Sequence, residues 1–222
     1  MSVLDLEFSE KGLAFIAAKE ACALTAYRDT SHLAIGFGQN IKTLKQGDTI
    51  EMQQAIDMFL VATAEYADYT RRLFRNYPFE QHHFDACGDV VYNIGPTKMK
   101  VETDFFKALD NYFNLIAKGP PQTDEQRETF LKIRSEAGNA FIPIMYKERN
   151  RHHNFERRCL DAVMFTAKAY GNISKLTFYD KGKRPKALRD ENNKVILDEA
   201  GNVKFPPDMP VEIDMPVFKK AA

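Results

Sequence analysis

The amino-acid sequence predicts an α+β protein that is mainly helical and carries one small β-hairpin near its N-terminus. Apolar residues recur at helical spacing over residues 9–24 and 50–74. Residues 24–37 form two short apolar stretches around a polar turn, as in a hairpin. From residue 173 onwards helical periodicity stops and Lys, Asp, Asn and Pro become frequent. With 222 residues, 44% of them hydrophobic, the chain can bury one domain core and carry an appendage.

Glu20 lies on the apolar face of the predicted first helix. Ser9 is the expected N-cap, and the helix is expected to end near residues 23–25. A carboxylate on such a face either forms a buried ion pair or lines a cleft, because an unpaired buried carboxylate is costly. The residues that define this face follow the spacing i, i+3, i+4, i+7: Leu13, Ile16, Ala17, Glu20 and Leu24.

Asp29 follows nine residues later, at the start of the predicted hairpin turn. A helix followed by a hairpin can bring Asp29 across a groove from Glu20. Gly36 and Gly38 allow the backbone of the hairpin to pass close to another element or a ligand. Two facing carboxyl groups in unlike surroundings, one apolar and one wet, are typical of enzymes that cleave glycosidic bonds. As a bare pair this signal is weak, because Glu and Asp are common.

The segment from Glu20 to Gly38 reads E-x3-L-x2-Y-x-D-x5-I-G-[FY]-G. This pattern resembles the active-site segment of the phage-type lysozymes, glycoside hydrolase family 24. Residues 84–114 resemble the second family signature, a helix ending in Asn-[VI]-Gly followed by another helix. Residues 154–165 resemble the terminal RRxxE helix, with Asp161 in place of Glu. The resemblance covers roughly residues 9–171.

The resemblance implies a lysozyme-like fold with a mainly α-helical large lobe and a small β-hairpin lobe around residues 24–42. Residues 1–172 would form the catalytic domain, and residues 173–222 a C-terminal hairpin and extended arm of unknown role. The implied activity is muramidase hydrolysis of the β-1,4 bond between N-acetylmuramic acid and N-acetylglucosamine, with inversion. Glu20 would be the general acid and Asp29 the base. The expected substrate-binding residues are Tyr27, Thr30, Gly36 and Asn93.

The segment from Glu20 to Gln39 departs from the family pattern at three positions and in the length of its turn. Ala21 and Gln39 stand where the family usually has Gly and His, the turn after Asp29 is one residue short, and Ala34 replaces the Thr that completes a catalytic triad. Thr30, or another residue of the short turn, could supply the missing hydroxyl. The departures leave open a lytic transglycosylase that forms anhydro-muropeptides, or a non-catalytic lysozyme-fold component of a virion or secretion apparatus.

Composition argues against several other functions. The net charge is +0, so no overall field attracts nucleic acid. Three cysteines without metal-type spacing indicate reduced thiols of a protein made in the cytosol. The adjacent histidine pairs at residues 82–83 and 152–153 lack the i, i+4 spacing of a helical zinc site. We therefore expect no metal and no cofactor. The family resemblance implies peptidoglycan as the substrate, and we expect a monomer.

The start of the chain, MSVLDLEFSEKG, is acidic and lacks the pattern of a signal peptide. No stretch approaches the roughly 18 apolar residues of a membrane span. We expect synthesis in the bacterial cytoplasm and action on peptidoglycan after delivery by other machinery. Residues 173–222 contain a hairpin pattern at 194–205 and a proline-spaced arm, and could bind a delivery or immunity protein or strap the catalytic domain. A chain ending near Gly171 is expected to fold.

Overall fold

The computed structural model describes residues 2–29, 32–145, 151–179 and 211–218. The chain divides into two compact units. We call residues 1–16 and 62–172 the helical unit, and residues 17–61 and 173–222 the sheet unit.

The described residues contain seven α-helices and two 3-10 helices, the latter at Val3–Asp5 and Ile142–Met145. The helices predicted over residues 50–74, 84–114 and 154–165 are confirmed, apart from small shifts of their ends. No helix in this part of the chain combines the length and apolar character needed to cross a membrane. In chain order the α-helices are α1 (Glu10–Glu20), α2 (Met52–Leu73), α3 (Gln81–Ile94), α4 (Pro96–Met99), α5 (Thr103–Ile116), α6 (Asp124–Asn139) and α7 (Arg151–Ala167).

The helix start predicted from the capping residue Ser9 is confirmed, and α6 begins with a cap of the same kind. The Ser9 hydroxyl accepts a hydrogen bond from the Gly12 amide at 3.0 Å and donates one to Asp85 Oδ2 at 2.5 Å. The Thr123 hydroxyl accepts from the Gln126 amide at 3.2 Å, and the Gln126 side chain accepts from the Thr123 amide in return. These contacts satisfy amides that the first turn of a helix leaves unpaired.

A four-stranded sheet lies in the sheet unit. Its strands are β1 (Cys22–Asp29), β2 (His32–Gly36), β3 (Lys175–Tyr179) and β4 (Val211–Asp214), and their order in the sheet is β2-β1-β3-β4. The pairs β1-β2 and β3-β4 are antiparallel, while β1 and β3 are parallel. The hairpin predicted over residues 24–37 is thereby confirmed.

The first helix ends earlier than predicted, so the expected end near residues 23–25 is wrong. Glu20 is its last residue, and Ala21 adopts a left-handed backbone with φ of +59°. Cys22 then begins β1, and Leu24 lies in a strand instead of on the helical face. The apolar spacing misled the prediction because the pairing of residues 22 and 23 with β3 is invisible in the local sequence.

The described part of the C-terminal region belongs to the sheet unit. Cys22 pairs with Phe178 along the backbone, and Leu176 and Phe218 are both buried. The hairpin predicted at residues 194–205 lies outside the described residues. The division into a catalytic domain and an extension at residue 173 stays a prediction. A chain ending near Gly171 would lack the strand that pairs with residues 22 and 23 of β1, and its independent folding stays a prediction.

Buried aromatic rings fill much of the helical unit. Neighbouring rings meet at tilted or edge-on angles, as between Phe105 and Phe141, whose centroids are 4.9 Å apart at 89°. Such pairs stabilise a core by more than the burial of their apolar surface alone. The buried phenylalanines of this unit include Phe74, Phe79, Phe84, Phe105, Phe113, Phe141 and Phe165.

Four charged side chains are also buried in the helical unit, where α3 packs against α7. Arg157 forms a fork with Asp89, donating from Nε at 2.8 Å and from Nη2 at 2.6 Å. Arg158 lies 3.4 Å from Asp89 and 3.0 Å from Asp161. Burial and the nearby Asp89 raise the pKa of Asp161 well above its usual range. Burial opposes ionisation of Asp89, but the two arginines outweigh it and lower the pKa of Asp89.

His83 sits among the buried rings of the helical unit with 3% of its surface exposed. Its Nδ1 accepts a hydrogen bond from the Glu80 amide at 3.1 Å, and its ring centroid lies 4.6 Å from that of Phe165. Burial, with smaller effects from His82 and Lys168, lowers the pKa of His83 to about 2. His83 is therefore neutral in the folded protein at all moderate pH values.

We expect this histidine to make the fold sensitive to acid. In the unfolded chain it takes up a proton below about pH 6.5, whereas the folded protein resists protonation down to about pH 2. The contribution of His83 to the free energy of unfolding is therefore fully present above pH 6.5. Below pH 6.5 it falls by up to about 1.4 kcal/mol per pH unit. His83→Leu should show a shallower decline between pH 7 and 5 in chemical denaturation, despite lower stability at pH 7. Equal slopes for the two proteins would contradict the assignment.

Candidate active site

Glu20 is half-buried at the C-terminal end of α1. Leu13, Ile16 and Ala17 on the same helix are buried, so Glu20 does continue the apolar face predicted for it. The chain turns at Ala21, directly after this carboxyl group. The side chain is thus held at the terminus of a rigid element by the packing of the preceding turns.

A tight turn closes β2 at residues 35–39. Ile35 and Gln39 exchange both backbone hydrogen bonds, at 3.0 and 2.9 Å. The side chain of Gln39 folds back, and its Oε1 accepts a hydrogen bond from the Phe37 amide at 2.8 Å. The turn is therefore fixed by three hydrogen bonds within five residues.

The glycines of this turn are required by its geometry. Gly36 and Gly38 have φ of +63° and +91°, where residues with a side chain are strained. A Cβ on Gly36 would lie 2.6 Å from Gln39 Oε1, closer than two such atoms can approach. A Cβ on Gly38 would lie 4.0 Å from Glu20 Oε2. The exposed backbone of Gly38 therefore lies directly beside the Glu20 carboxyl group.

The structure describes the backbone of Asp29 but not its side chain. Asp29 is the last residue of β1 and pairs with His32 of β2 across the hairpin. This confirms that a hairpin follows Glu20 with Asp29 at its turn. Thr30 lies outside the described residues, so its expected role in binding substrate stays a prediction.

Tyr27 and Ala34 face each other across the β1-β2 hairpin. Both are buried, and together with Ala23 they form one apolar cluster. Ala34 is fully buried, at the position where the resembled family carries Thr. A methyl group there can pack but cannot hold water. The expected contact of Tyr27 with substrate stays a prediction, and its ring is 7% exposed.

Asn93 belongs to the helical unit, near the end of α3. It accepts a hydrogen bond from Arg158 Nη2 at 3.1 Å and so joins the buried cluster of two arginines and two aspartates. The arginine fixes the orientation of the Asn93 amide group. Its expected role in substrate binding stays a prediction.

The cysteine nearest to Glu20 has no nucleophilic character. Cys22 is 1% exposed, and burial raises the pKa of its thiol to about 12. It is therefore a protonated packing group. Within the described ranges, no group of three or more His, Cys, Asp or Glu side chains is arranged to hold a metal ion.

Gln39 is the residue that sequence reasoning missed. Its oxygen holds the turn beside Glu20, and its Nε2 is buried without a hydrogen-bond partner among the described residues. The available signal was the replacement of the usual His directly after Gly38. A glutamine side chain at that position is long enough to hydrogen-bond to the turn. The replacement of His by Gln does not by itself reveal this hydrogen bond.

Comparison with known proteins now adds to this geometry. The family model described as phage lysozyme matches residues 17–118. The matched segment begins within α1 and contains Glu20, Asp29 and the turn at residues 35–39. The predicted resemblance to phage-type lysozymes is thereby confirmed. No curated protein matches the sequence.

Solved structures show the same fold. An endolysin from Escherichia coli O157:H7 phage FAHEc1 is 20% identical, with 76% of this chain and 98% of that chain covered and a TM-score of 0.53. The muramidase domain of SpmX from Asticaccaulis excentricus is 18% identical, with 72% and 97% covered and a TM-score of 0.52. The predicted α+β, lysozyme-like fold class is therefore confirmed.

The left-handed backbone of Ala21 leads to a prediction. A residue with a Cβ pays about 1–2 kcal/mol in this conformation, and glycine avoids that cost but loses more chain entropy on folding. We expect Ala21→Gly to raise the free energy of unfolding by up to about 1 kcal/mol. The matched control is Ala64→Gly on the exposed face of α2, which should lower it by about 1 kcal/mol. Denaturant titration measures both, and a loss of stability in Ala21→Gly would contradict the strain argument.

Proposed function

Since this chain is of the phage-lysozyme type in its fold and in residues 17–118, we propose that it is a peptidoglycan hydrolase. Its substrate bond is the β-1,4 bond between N-acetylmuramic acid and N-acetylglucosamine. The observation that carries the proposal is the position of Glu20 at the end of α1, beside the side-chain-free backbone of Gly38. A glycine at this point leaves space next to the acid into which a sugar can fit.

In the proposed reaction Glu20 donates its proton to the glycosidic oxygen as the bond to the anomeric carbon breaks. Water attacks that carbon from the opposite face, and Asp29 accepts the proton that the water loses. The products are two sugar chains, one with a new reducing end of inverted configuration. Glu20 ends as a carboxylate and Asp29 as a carboxylic acid, so proton exchange with solvent completes the cycle.

The role of Glu20 can be tested by a change that keeps its shape. Glu20→Gln cannot donate a proton, so we expect hydrolysis of purified peptidoglycan to slow by about 10²–10⁴-fold. The thermal unfolding midpoint should stay close to that of the parent, which separates lost chemistry from lost folding. Lys19→Gln, one residue earlier on the same helix, is the control and should retain activity. A Glu20→Gln protein that clears peptidoglycan at the parental rate would exclude this mechanism.

A lytic transglycosylase is the second candidate, and the burial of Ala34 favours it. The family places at this position a hydroxyl that can hold the attacking water, and here a fully buried methyl group replaces it. Without a held water, the 6-hydroxyl of the muramic acid could attack the anomeric carbon instead and form an internal anhydro-sugar. The role of Asp29 distinguishes the two reactions.

The released fragments identify the reaction. If Asp29 activates water, the muropeptides have reducing ends and Asp29→Asn should lose about 10²-fold or more of the rate. Mass spectrometry separates these products from anhydro-muropeptides by the mass of one water. Anhydro products together with an active Asp29→Asn protein would assign the transglycosylase. A parent protein that binds peptidoglycan and releases nothing would assign the non-catalytic role.

Peptidoglycan hydrolysis takes place at the cell wall, so the proposed function includes passage to the periplasm. A holin, or loading onto a phage tail or a secretion apparatus, would provide that passage. Binding of a delivery or immunity protein through residues 173–222 and a monomeric state remain part of the proposal. The chemistry proposed for Glu20 and Asp29 does not depend on them.

A further inference from the structure

We propose that Phe218 is a positioning residue for Glu20, through which the C-terminal region sets the geometry of the acid. The family match ends at residue 118, yet two segments beyond residue 173 contact parts of the sheet unit that are close to Glu20 along the chain or in space. The inference rests on the proposed function, because it concerns how well Glu20 donates its proton.

The first contact is made by β3. Its residues 178 and 179 pair in parallel with Cys22 and Ala23, which follow Glu20 by two and three residues. The paired strand therefore holds the chain just after the left-handed turn at Ala21. The helix fixes Glu20 from one side and β3 fixes the backbone on the other.

The second contact is made by Phe218 itself, which is 5% exposed. Its ring centroid lies 6.0 Å from that of Phe37 and 5.2 Å from that of Phe59. The Phe37 and Phe59 rings are 4.7 Å apart, so the three rings form one cluster. Phe59 comes from α2 and Phe37 from the tight turn at residues 35–39.

The turn links this cluster to the acid. The amide of Phe37 donates a hydrogen bond to Gln39 Oε1, and a Cβ on the next residue, Gly38, would lie 4.0 Å from Glu20 Oε2. A smaller side chain at residue 218 leaves a void next to the Phe37 ring. In a closely packed core, the side chains that line a void shift to fill part of it. A shift of Phe37 moves Gly38 relative to the carboxyl group. Displacements of about 1 Å near reacting groups can cost about 10²-fold in rate.

This arrangement predicts a loss of kcat without a matching change in KM. We expect Phe218→Leu to lower kcat on soluble peptidoglycan fragments by about tenfold or more. Phe218→Met should lower it less, because the unbranched, flexible methionine side chain reaches further into the site of the ring and fills irregular gaps. KM should stay within about twofold, because Phe218 is buried and touches no substrate. The control is Phe141→Leu in the helical unit, a fully buried ring that packs on Phe105 and Phe165.

A second measurement is independent of activity. In NMR spectra of the full chain, the amide signal of Gly38 and the carboxyl carbon signal of Glu20 should move in Phe218→Leu and stay in place in Phe141→Leu. Denaturation of both variants reports how much stability each loses. These signals also separate the two proposals, since a parent protein without activity on peptidoglycan overturns the proposed function whatever the spectra show.

The inference fails under either of two results. One is that the two leucine variants lower kcat alike, in proportion to the stability that each has lost. The other is that the Gly38 and Glu20 signals stay unchanged in Phe218→Leu. If Phe218→Leu does not fold, the same comparison is made with Phe218→Met against Phe141→Met.

Discussion

Ala21 has a left-handed backbone conformation, and the turn at this residue determines where α1 ends and β1 begins. The turn ends α1 at Glu20, so the carboxyl group sits at the terminus of the helix instead of in its buried middle. It also directs Cys22 into the sheet, where β3 pairs with it. A residue with a Cβ adopts this conformation only when its surroundings compensate the cost. Here the packed face of α1 before the turn and the backbone pairing after it supply that compensation.

The helical unit depends on a different constraint, the buried charges between α3 and α7. Asp89 receives a fork of hydrogen bonds from Arg157, and Arg158 contacts both aspartates. Removing one member of such a cluster is costly because it leaves a buried charge without its partner, even though an apolar replacement of the whole cluster could be as stable. The buried charges fix α3 and α7 relative to each other. Arg158 also orients the amide group of Asn93.

The described part of the C-terminal region is tied to the sheet unit. Its sequence predicts an appendage, since helical periodicity stops at residue 173 and the family resemblance ends near residue 171. In the described residues, however, β3 lies between β1 and β4, pairing with β1 at residues 178 and 179 and with β4 over residues 175–178. Phe218 joins the apolar cluster with Phe37 and Phe59. The described part of this region therefore packs within the sheet unit.

The sequence by itself determined the features that depend on near neighbours. These are the amphipathic periodicity of α2, the cap at Ser9, and the spacing between Glu20 and Asp29 along one helix and one hairpin. Tertiary structure decided the end of α1, the pairing of β1 with β3, and the place of Phe218 in the core. It also decided that Gln39 closes the turn beside Glu20. The physical reason is that helix periodicity and capping act over a few residues, whereas strand pairing and ring packing join segments far apart in the chain, whose meeting no local pattern encodes.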